Sequence, residues 1–150
     1  MIAILSSPDS FHNKNEMDKI RDIIKEEGSG IIHYEVKSFM DIGEALSRFK
    51  ECHVCAIVIV GGQALSSATF EYMIDKKPFG NEHLPLSVLS GDEERFISQS
   101  FGATSTHAYQ DLLYVLRKHN TGRLLDHLVK ATLIRVEGVM HIGKLYGLYF

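Results

Sequence analysis

The sequence predicts a three-layer α/β fold with a twisted, largely parallel sheet. The main observation is the stretch 54–60, which has seven apolar and largely β-branched residues in a row. Such a run is too short for a typical helix and too apolar on both faces for a half-exposed strand, so it is typical of a strand buried in a parallel sheet. Gly61 and Gly62 follow at once, and helical spacing begins after them. We therefore expect this strand to be central, with helices on both faces of the sheet.

The first part of the chain fits the same alternation. Residues 2–5 are apolar and lead into a turn-rich segment at 6–10, which predicts a first strand and its loop. Residues 15–27 alternate apolar and charged positions at helical spacing, and Gly28 ends this predicted amphipathic helix. A second strand is predicted at 31–36.

Two further helices flank the central strand in the sequence. Residues 41–49 carry apolar side chains at i, i+3, i+4 and i+7, which predicts a second helix that leads into the central strand. After the glycines, Leu65, Ala68 and Tyr72 lie at i, i+3 and i+7 and predict a third helix. The order to this point is β-α-β-α-β-α, which is typical of a parallel sheet with crossover helices.

A fourth strand and a further helix are predicted next. Residues 84–89 form the short strand. Ser90 and Glu93 have the spacing of a capping box and predict the start of a helix that continues through 96–101.

The pattern changes toward the end of the chain. A helix is predicted at 106–119, and β-rich segments follow it. We therefore divide the chain into an α/β domain at 1–126 and a β-rich C-terminal segment at 127–150. The β-rich segments are 129–136, 139–142 and 145–150.

Composition excludes several classes of protein. Sixteen basic and nineteen acidic residues give a net charge of −3, which argues against nucleic acid and against a polybasic membrane surface as partners. Only two cysteines occur, and neither a signal peptide nor a long apolar run is found, which predicts a cytoplasmic protein without a transmembrane segment.

The turn at Gly61 and Gly62 has two interpretations. Paired glycines are common in tight strand-to-helix turns that need a positive φ. A glycine turn between a strand and a helix can also bring backbone N–H groups to a phosphate. Two adjacent glycines match neither G-x-G-x-x-G nor G-x-x-x-x-G-K-[ST], so the turn alone does not decide between these alternatives.

Three segments carry motifs in a known order. They are residues 4–10 (I-L-S-S-P-D-S), residues 58–65 (V-I-V-G-G-Q-A-L) and residues 86–96 (L-S-V-L-S-G-D-E-E-R-F), the last followed by S-F-G at 100–102. They resemble the opening strand with its N-P-x-S-G loop, the V-G-G-D-G-T motif and the L-G-V-(I/L)-P-x-G-(T/S)-x-N-D-F-A-R-x-L-G signature of the diacylglycerol kinase catalytic domain family. The chain resembles the N-terminal, nucleotide-binding half of that domain, which is shared with bacterial lipid kinases and, more distantly, NAD kinases. The β-rich end resembles the start of the family's second domain.

This resemblance implies an ATP-dependent lipid kinase-like phosphotransferase, with ATP and Mg²⁺ as cofactors and an adenine nucleotide and a lipid acceptor as partners. It assigns no catalytic residue in this chain. The resemblance also implies a set of residues that contact the nucleotide, and Ser67 and Lys14 lie around this set. The contact residues are Ser10, Gly61, Gly62, Gln63, Ser66 and Gly91.

Departures from the motifs predict impaired catalysis. Gln63, Ala64 and Leu65 occupy the positions of the Asp, Gly and Thr of G-G-D-G-T. Mg²⁺ at a phosphate site prefers carboxylates, and this set offers one neutral amide and no carboxylate. The acidic residues 92–94 occupy the small G-(T/S)-x-N run, where negative charge would repel a triphosphate.

Other chemistry-bearing residues have simpler interpretations. Cys52 and Cys55 form a lone C-x-x-C before the central strand, which we expect to be buried cysteines because a zinc site needs two further ligands. The histidines, including His119 and His127, match no ligand motif and are expected to be solvated or core side chains. Ser66, Ser67 and Thr69 either offer hydroxyls to a bound anion from the first turns of the helix or merely cap that helix.

Two functions therefore stand as expectations. The first is a lipid kinase-like nucleotide-binding domain that is impaired or inactive on its own. The second is a non-catalytic interaction or regulatory module that keeps the same scaffold, since fold does not determine function. In either case apolar residues near the C-terminus, such as Leu145 and Tyr149, predict a homo-oligomer through the last strands.

Overall fold

The computed structural model describes residues 1–11, 14–82, 84–90, 99, 103, 105–127, 132–137 and 144–149. Strands and helices alternate up to residue 89, and the elements whose bounds are described after it are a helix and two strands. Short 3-10 turns lie at Pro8–Ser10, Phe39–Asp41 and Leu124–His127. The elements are β1 (Ile2–Ser6), α1 (Lys14–Glu27), β2 (Ile31–Glu35), α2 (Ile42–Glu51), β3 (Ala56–Val60), α3 (Gln63–Lys76), β4 (Leu86–Leu89), α4 (Ala108–Asn120), β5 (Thr132–Glu137) and β6 (Lys144–Tyr149).

The first four strands form one parallel sheet in the order β2-β1-β3-β4. Ile2 of β1 is in register with Ile31 of β2 on one side and with Ala56 of β3 on the other. Strand β3 lies between β1 and β4, and all five of its residues are buried. The predicted parallel sheet with this strand inside it is confirmed.

Helices cover both faces of the sheet, which gives three layers. On one face, Ala3 and Ile57 belong to a core that also contains α2 and α3. On the other face, Ile2 and Val58 belong to a core that contains α1 and α4. Because successive side chains of a strand point to opposite faces, each buried strand contributes to both cores. Strand β3 has no polar residues because neither of its faces meets water.

Strand β3 begins two residues later than the sequence predicts. The backbone N–H of Val54 donates to the carbonyl of Phe49, and the N–H of Cys55 donates to the carbonyl of Met1. Val54 thus closes the end of α2, and Cys55 bonds to the first residue of the chain. The pairing of β3 with β1 begins at the next residue, Ala56. Cys55 is exposed.

Helix α2 begins one residue later than predicted because a separate turn precedes it. Ser38 and Asp41 form a capping box around the 3-10 turn, in which the Ser38 hydroxyl accepts from Met40 N and the Asp41 carboxylate accepts from Ser38 N. The predicted helix at 106–119 is present as α4, starting at Ala108. The helix predicted from Ser90 through 101 falls on residues of which only Ser90 and Gln99 are described.

The last two strands pair with each other. β5 and β6 are antiparallel, with Thr132 opposite Tyr149 and Glu137 opposite Lys144. The β segment predicted at 139–142 lies outside the described residues. Among the helices that the structure describes, none has the length and apolar character needed to cross a membrane.

Candidate functional site

The topology creates a crevice at one edge of the sheet. The chain leaves β1 toward α1 on one face and leaves the neighbouring β3 toward α3 on the other face. At such a switch point the two connections separate, and open α/β sheets bind their ligands in the crevice beyond the carboxyl ends of these strands. The segments that border it are the turn at residues 7–11 and the turn at Gly61 and Gly62.

These two turns lie in direct contact. A Cβ atom placed on Gly61 would lie 3.1 Å from Ser10 Oγ and 2.8 Å from Leu65 Cδ2. No side chain fits at Gly61 unless its neighbours move. The structure therefore brings the predicted site residues Ser10, Gly61 and Gly62 together at the switch point.

The expectation that the glycine turn needs a positive φ is wrong. Gly62 has φ −78° and ψ −179°, an extended backbone that any residue adopts, and Gly61 is not among the described glycines with positive φ. The requirement at Gly61 is close approach, because the β1–α1 turn and helix α3 both contact the space where its side chain would lie. The phosphate interpretation of the turn remains a prediction.

Helix α3 begins at this crevice with a start suited to an anion. Gly62 is its N-cap and has no side chain to cap the first turn, and no acidic residue lies in that turn. The first N–H groups of a helix have no partner inside the helix and carry the positive end of its dipole. Gln63 and Ala64 are exposed there, whereas Leu65 is completely buried.

Ser7 is a polar residue of this site that the sequence analysis did not select. It is only 8% exposed, and its backbone N–H donates to the Val60 carbonyl across the switch point. Within the described part of the chain, its hydroxyl forms no hydrogen bond. Buried hydroxyls normally have a partner, so this one is available to a ligand or a water molecule. The available signal was its position, a polar residue directly after a buried strand.

The hydroxyls on helix α3 are used within the helix. Ser66 is buried and its hydroxyl donates to the Gly62 carbonyl at 3.2 Å. Thr69 is buried and donates to the Leu65 carbonyl at 2.7 Å. Ser67 is half-buried. The Ser66 and Thr69 hydroxyls thus donate to carbonyls within their own helix instead of capping its first N–H groups, and a ligand contact by Ser66 stays a prediction.

A third predicted border of the crevice follows β4. Gly61 N donates to the Leu89 carbonyl, so the end of β4 lies beside the glycine turn, and the next residue, Ser90, is buried. Gly91 and the acidic residues 92–94 lie outside the described residues, as does the side chain of Lys14.

A polar network lies beside the end of β1, on the face that α1 covers. The hydroxyl of the fully buried Ser6 lies 2.8 Å from His33 Nε2. Farther out on β2, Glu35 binds the Arg21 guanidinium through both oxygens, at 2.7 and 2.8 Å, and Asp18 binds the same guanidinium at 2.9 Å.

Titration in this network follows from burial and charge. Burial lowers the pKa of His33, with Glu35 opposing and Arg21 adding to that change. The hydrogen bond from Arg21 lowers the pKa of Glu35. His33 is therefore neutral and Glu35 ionised at neutral pH.

The cysteine expectation is wrong. Cys55 is exposed and Cys52 is half-buried, both as free thiols, because they lie in the connection between α2 and β3 and not inside the buried strand. They lie at the start of β3, at the sheet edge opposite the crevice. In the part of the chain that is described, no group of three or more His, Cys, Asp and Glu side chains is arranged to hold a metal ion. His119 is half-buried, and burial lowers its pKa.

Comparison with known proteins adds no assignment. No protein-family model matches the chain, and no curated protein matches it.

Proposed function

We propose that this chain is a nucleotide-binding domain of the lipid kinase type, with ATP phosphates bound at the β1/β3 switch point and with little or no phosphotransferase activity of its own. The observation that carries the proposal is the contact of Ser10 with Gly61. It joins the two segments that resemble N-P-x-S-G and G-G-D-G-T, which are 51 positions apart at these residues. The Ser7 hydroxyl, which has no hydrogen bond among the described residues, adds a polar group at the same place.

The chemistry of this crevice suits a phosphate better than a cation. Its contributions are hydroxyls and the N–H groups of a helix start, which favour an anion by about 0.3–1 kcal/mol per helix end. Carboxylates that Mg²⁺ prefers are absent from the described turns except for the exposed Asp9. If Mg²⁺ accompanies the nucleotide, the Asp9 carboxylate and the amide oxygen of Gln63 could offer it oxygen beside the serine hydroxyls.

One observation favours the second function, a non-catalytic interaction or regulatory module. Leu65 occupies the position of the motif threonine, and its side chain is completely buried against Gly61 and the core of α2 and α3. It offers the phosphate no oxygen. Phosphoryl transfer depends on positioned charge and metal, so the loss of these groups removes catalysis before it removes binding.

Nucleotide titration tests the proposal. We expect Mg-ATP to stabilise the protein, and a ligand at 100 times its Kd adds about 2.7 kcal/mol to the free energy of unfolding. For a chain of this length, that is a rise in Tm of roughly 5–10 °C. ADP and NAD are the comparison ligands in calorimetry.

A serine pair provides matched variants. Ser10→Ala removes the hydroxyl at the crevice and should weaken ATP binding, whereas Ser29→Ala removes an exposed serine of the turn before β2, at the opposite edge, and should not. Equal ATP affinity in both variants, or no stabilisation by any nucleotide, would contradict the proposed site.

An activity assay tests the impaired-site interpretation. We expect no measurable phosphorylation of a diacylglycerol vesicle by the chain alone. Replacing Asp92 with Thr and Glu93 with Gly should strengthen ATP binding, because two negative charges leave the predicted triphosphate region. Robust turnover by the unmodified chain would overturn the impaired-site interpretation.

A further inference from the structure

The buried Ser6, which is hydrogen-bonded to the half-buried His33, directly precedes the candidate site in the chain. Ser6 is the last residue of β1, and the next residue, Ser7, begins the turn that borders the crevice. The backbone of Ser6 is held on both sides, in register with Glu35 of β2 and with Val60 of β3. The side chain of Ser6 is held by His33 alone among the described residues.

Burial favours one direction for this hydrogen bond. Ser6 is 0% exposed, so its hydroxyl proton cannot turn to water and needs a protein acceptor. The lone pair of His33 Nε2, at 2.8 Å, is the acceptor that the described residues supply. The imidazole is then the neutral tautomer with its proton on Nδ1.

Protonation of His33 would reverse that bond. An imidazolium has N–H donors at both nitrogens and no lone pair, so the Ser6 hydroxyl would lose its acceptor and its proton would have no partner. A buried donor without an acceptor is costly, and the end of β1 would rearrange to relieve it. The charged groups near the ring are Glu35 on its own strand, which favours the cation, and Arg21 on α1, which opposes it; Asp18 partly neutralises Arg21.

We propose that His33 is a positioning residue for the ligand site: its neutral imidazole holds Ser6 and thereby the β1–α1 turn in the conformation that binds phosphate. Protonation of His33 releases the turn and weakens binding. The inference rests on the proposed function for its ligand, but the behaviour of the turn is independent of any ligand.

A pH titration of ATP affinity tests the coupling. As the pH falls from 7.5 through the lowered pKa of His33, the Kd for ATP should rise roughly threefold or more in the wild-type protein beyond the change in His33→Gln. The glutamine side chain keeps a polar group near Ser6 but does not titrate. Protonation of ATP itself changes the Kd equally in both proteins, so the variant corrects for it. Tighter binding by the wild type at low pH would mean that the imidazolium attracts the phosphate directly, and it would overturn the positioning role.

Amide hydrogen exchange provides a ligand-free readout. The N–H of Ser7 donates to Val60 and that of Ser10 to Ser7, so both report on the turn. Their protection factors should fall in the wild type as the pH drops and stay constant in His33→Gln, while amides of α2 stay protected in both. Ser6→Ala removes the hydroxyl and should also abolish the pH dependence, which keeps the test open if His33→Gln does not fold.

The outcomes separate the two proposals. If ATP does not bind at pH 7.5 but the turn amides follow His33, the proposed ligand is wrong and the positioning role stands. If the protection factors are the same in wild type and His33→Gln across the pH range, the positioning role is wrong whether or not ATP binds.

Discussion

Glu16 of α1 accepts a hydrogen bond from the backbone N–H of Ala108, the first residue of α4, at 2.8 Å. His107, the N-cap of α4, provides no side-chain cap, and Glu16 takes that role from 92 positions away. Because Glu16 also lies in the first turn of α1, one carboxylate lies near the positive ends of two helices. The bond fixes how these two helices lie together on one face of the sheet.

Loss of this cap should destabilise the fold. Glu16 is 5% exposed, so Glu16→Ala leaves a buried N–H without a partner, and we expect a loss of about 0.5–2 kcal/mol in the free energy of unfolding. Urea denaturation measures it. The control is Glu26→Ala, an exposed position on the same helix, which should change stability by less than about 0.5 kcal/mol. Equal effects of the two substitutions would show that the long-range cap contributes nothing.

The close approach at Gly61 predicts a coupled pair of substitutions. Gly61→Ala should cost about 1–3 kcal/mol because its methyl group would overlap Leu65 Cδ2, the nearest atom at 2.8 Å. Leu65→Val shortens that side chain, so the double variant should be more stable than the sum of the two single changes predicts. Additive losses would mean that Gly61 is required for a reason other than Leu65.

The Arg21–Glu35 pair predicts a pH dependence of stability with a definite sign. Arg21 lowers the pKa of Glu35 below its ordinary value of 4.5, so the native state favours the ionised carboxylate more than the unfolded chain does. This contribution is complete above pH 4.5 and is lost as the pH falls through the lowered native value. In chemical denaturation between pH 6 and 3, Glu35→Gln should show a shallower fall in stability than the wild type. Glu51→Gln, an exposed site at the end of α2, is the control and should follow the wild-type curve.

We also propose that the chain forms a homodimer through its last strands. The apolar content of residues 145–150 is the reason, since exposed apolar strands tend to pair with another chain. Light scattering at high concentration should give twice the monomer mass of 16.9 kDa. The double variant Leu145→Glu, Tyr149→Lys should give the monomer mass. A monomer at every concentration in the wild type would contradict this prediction.

How much of the structure the sequence could predict depends on how far apart in the chain the interacting residues lie. The parallel sheet was predictable because a run such as Ile57 to Val60 has no polar position, which two covered faces require. The glycine turn was located correctly, but its physical cause was not, because Gly61 is crowded by the buried side chain of Leu65 and by Ser10 Oγ, which only the folded chain brings there. The roles of Ser7, His33 and Glu16 depend on partners or burial that only the folded chain defines, and no local spacing reveals them.

The burial of Leu65 ties the chemistry of the site to the stability of the core. To place a hydroxyl at the first turn of α3, Leu65→Thr must remove part of a side chain that is 0% exposed. Truncating a buried leucine costs on the order of 2–5 kcal/mol, a large part of the total stability of a typical domain. A hydroxyl at this position would therefore require compensating changes in α2 and α3 first.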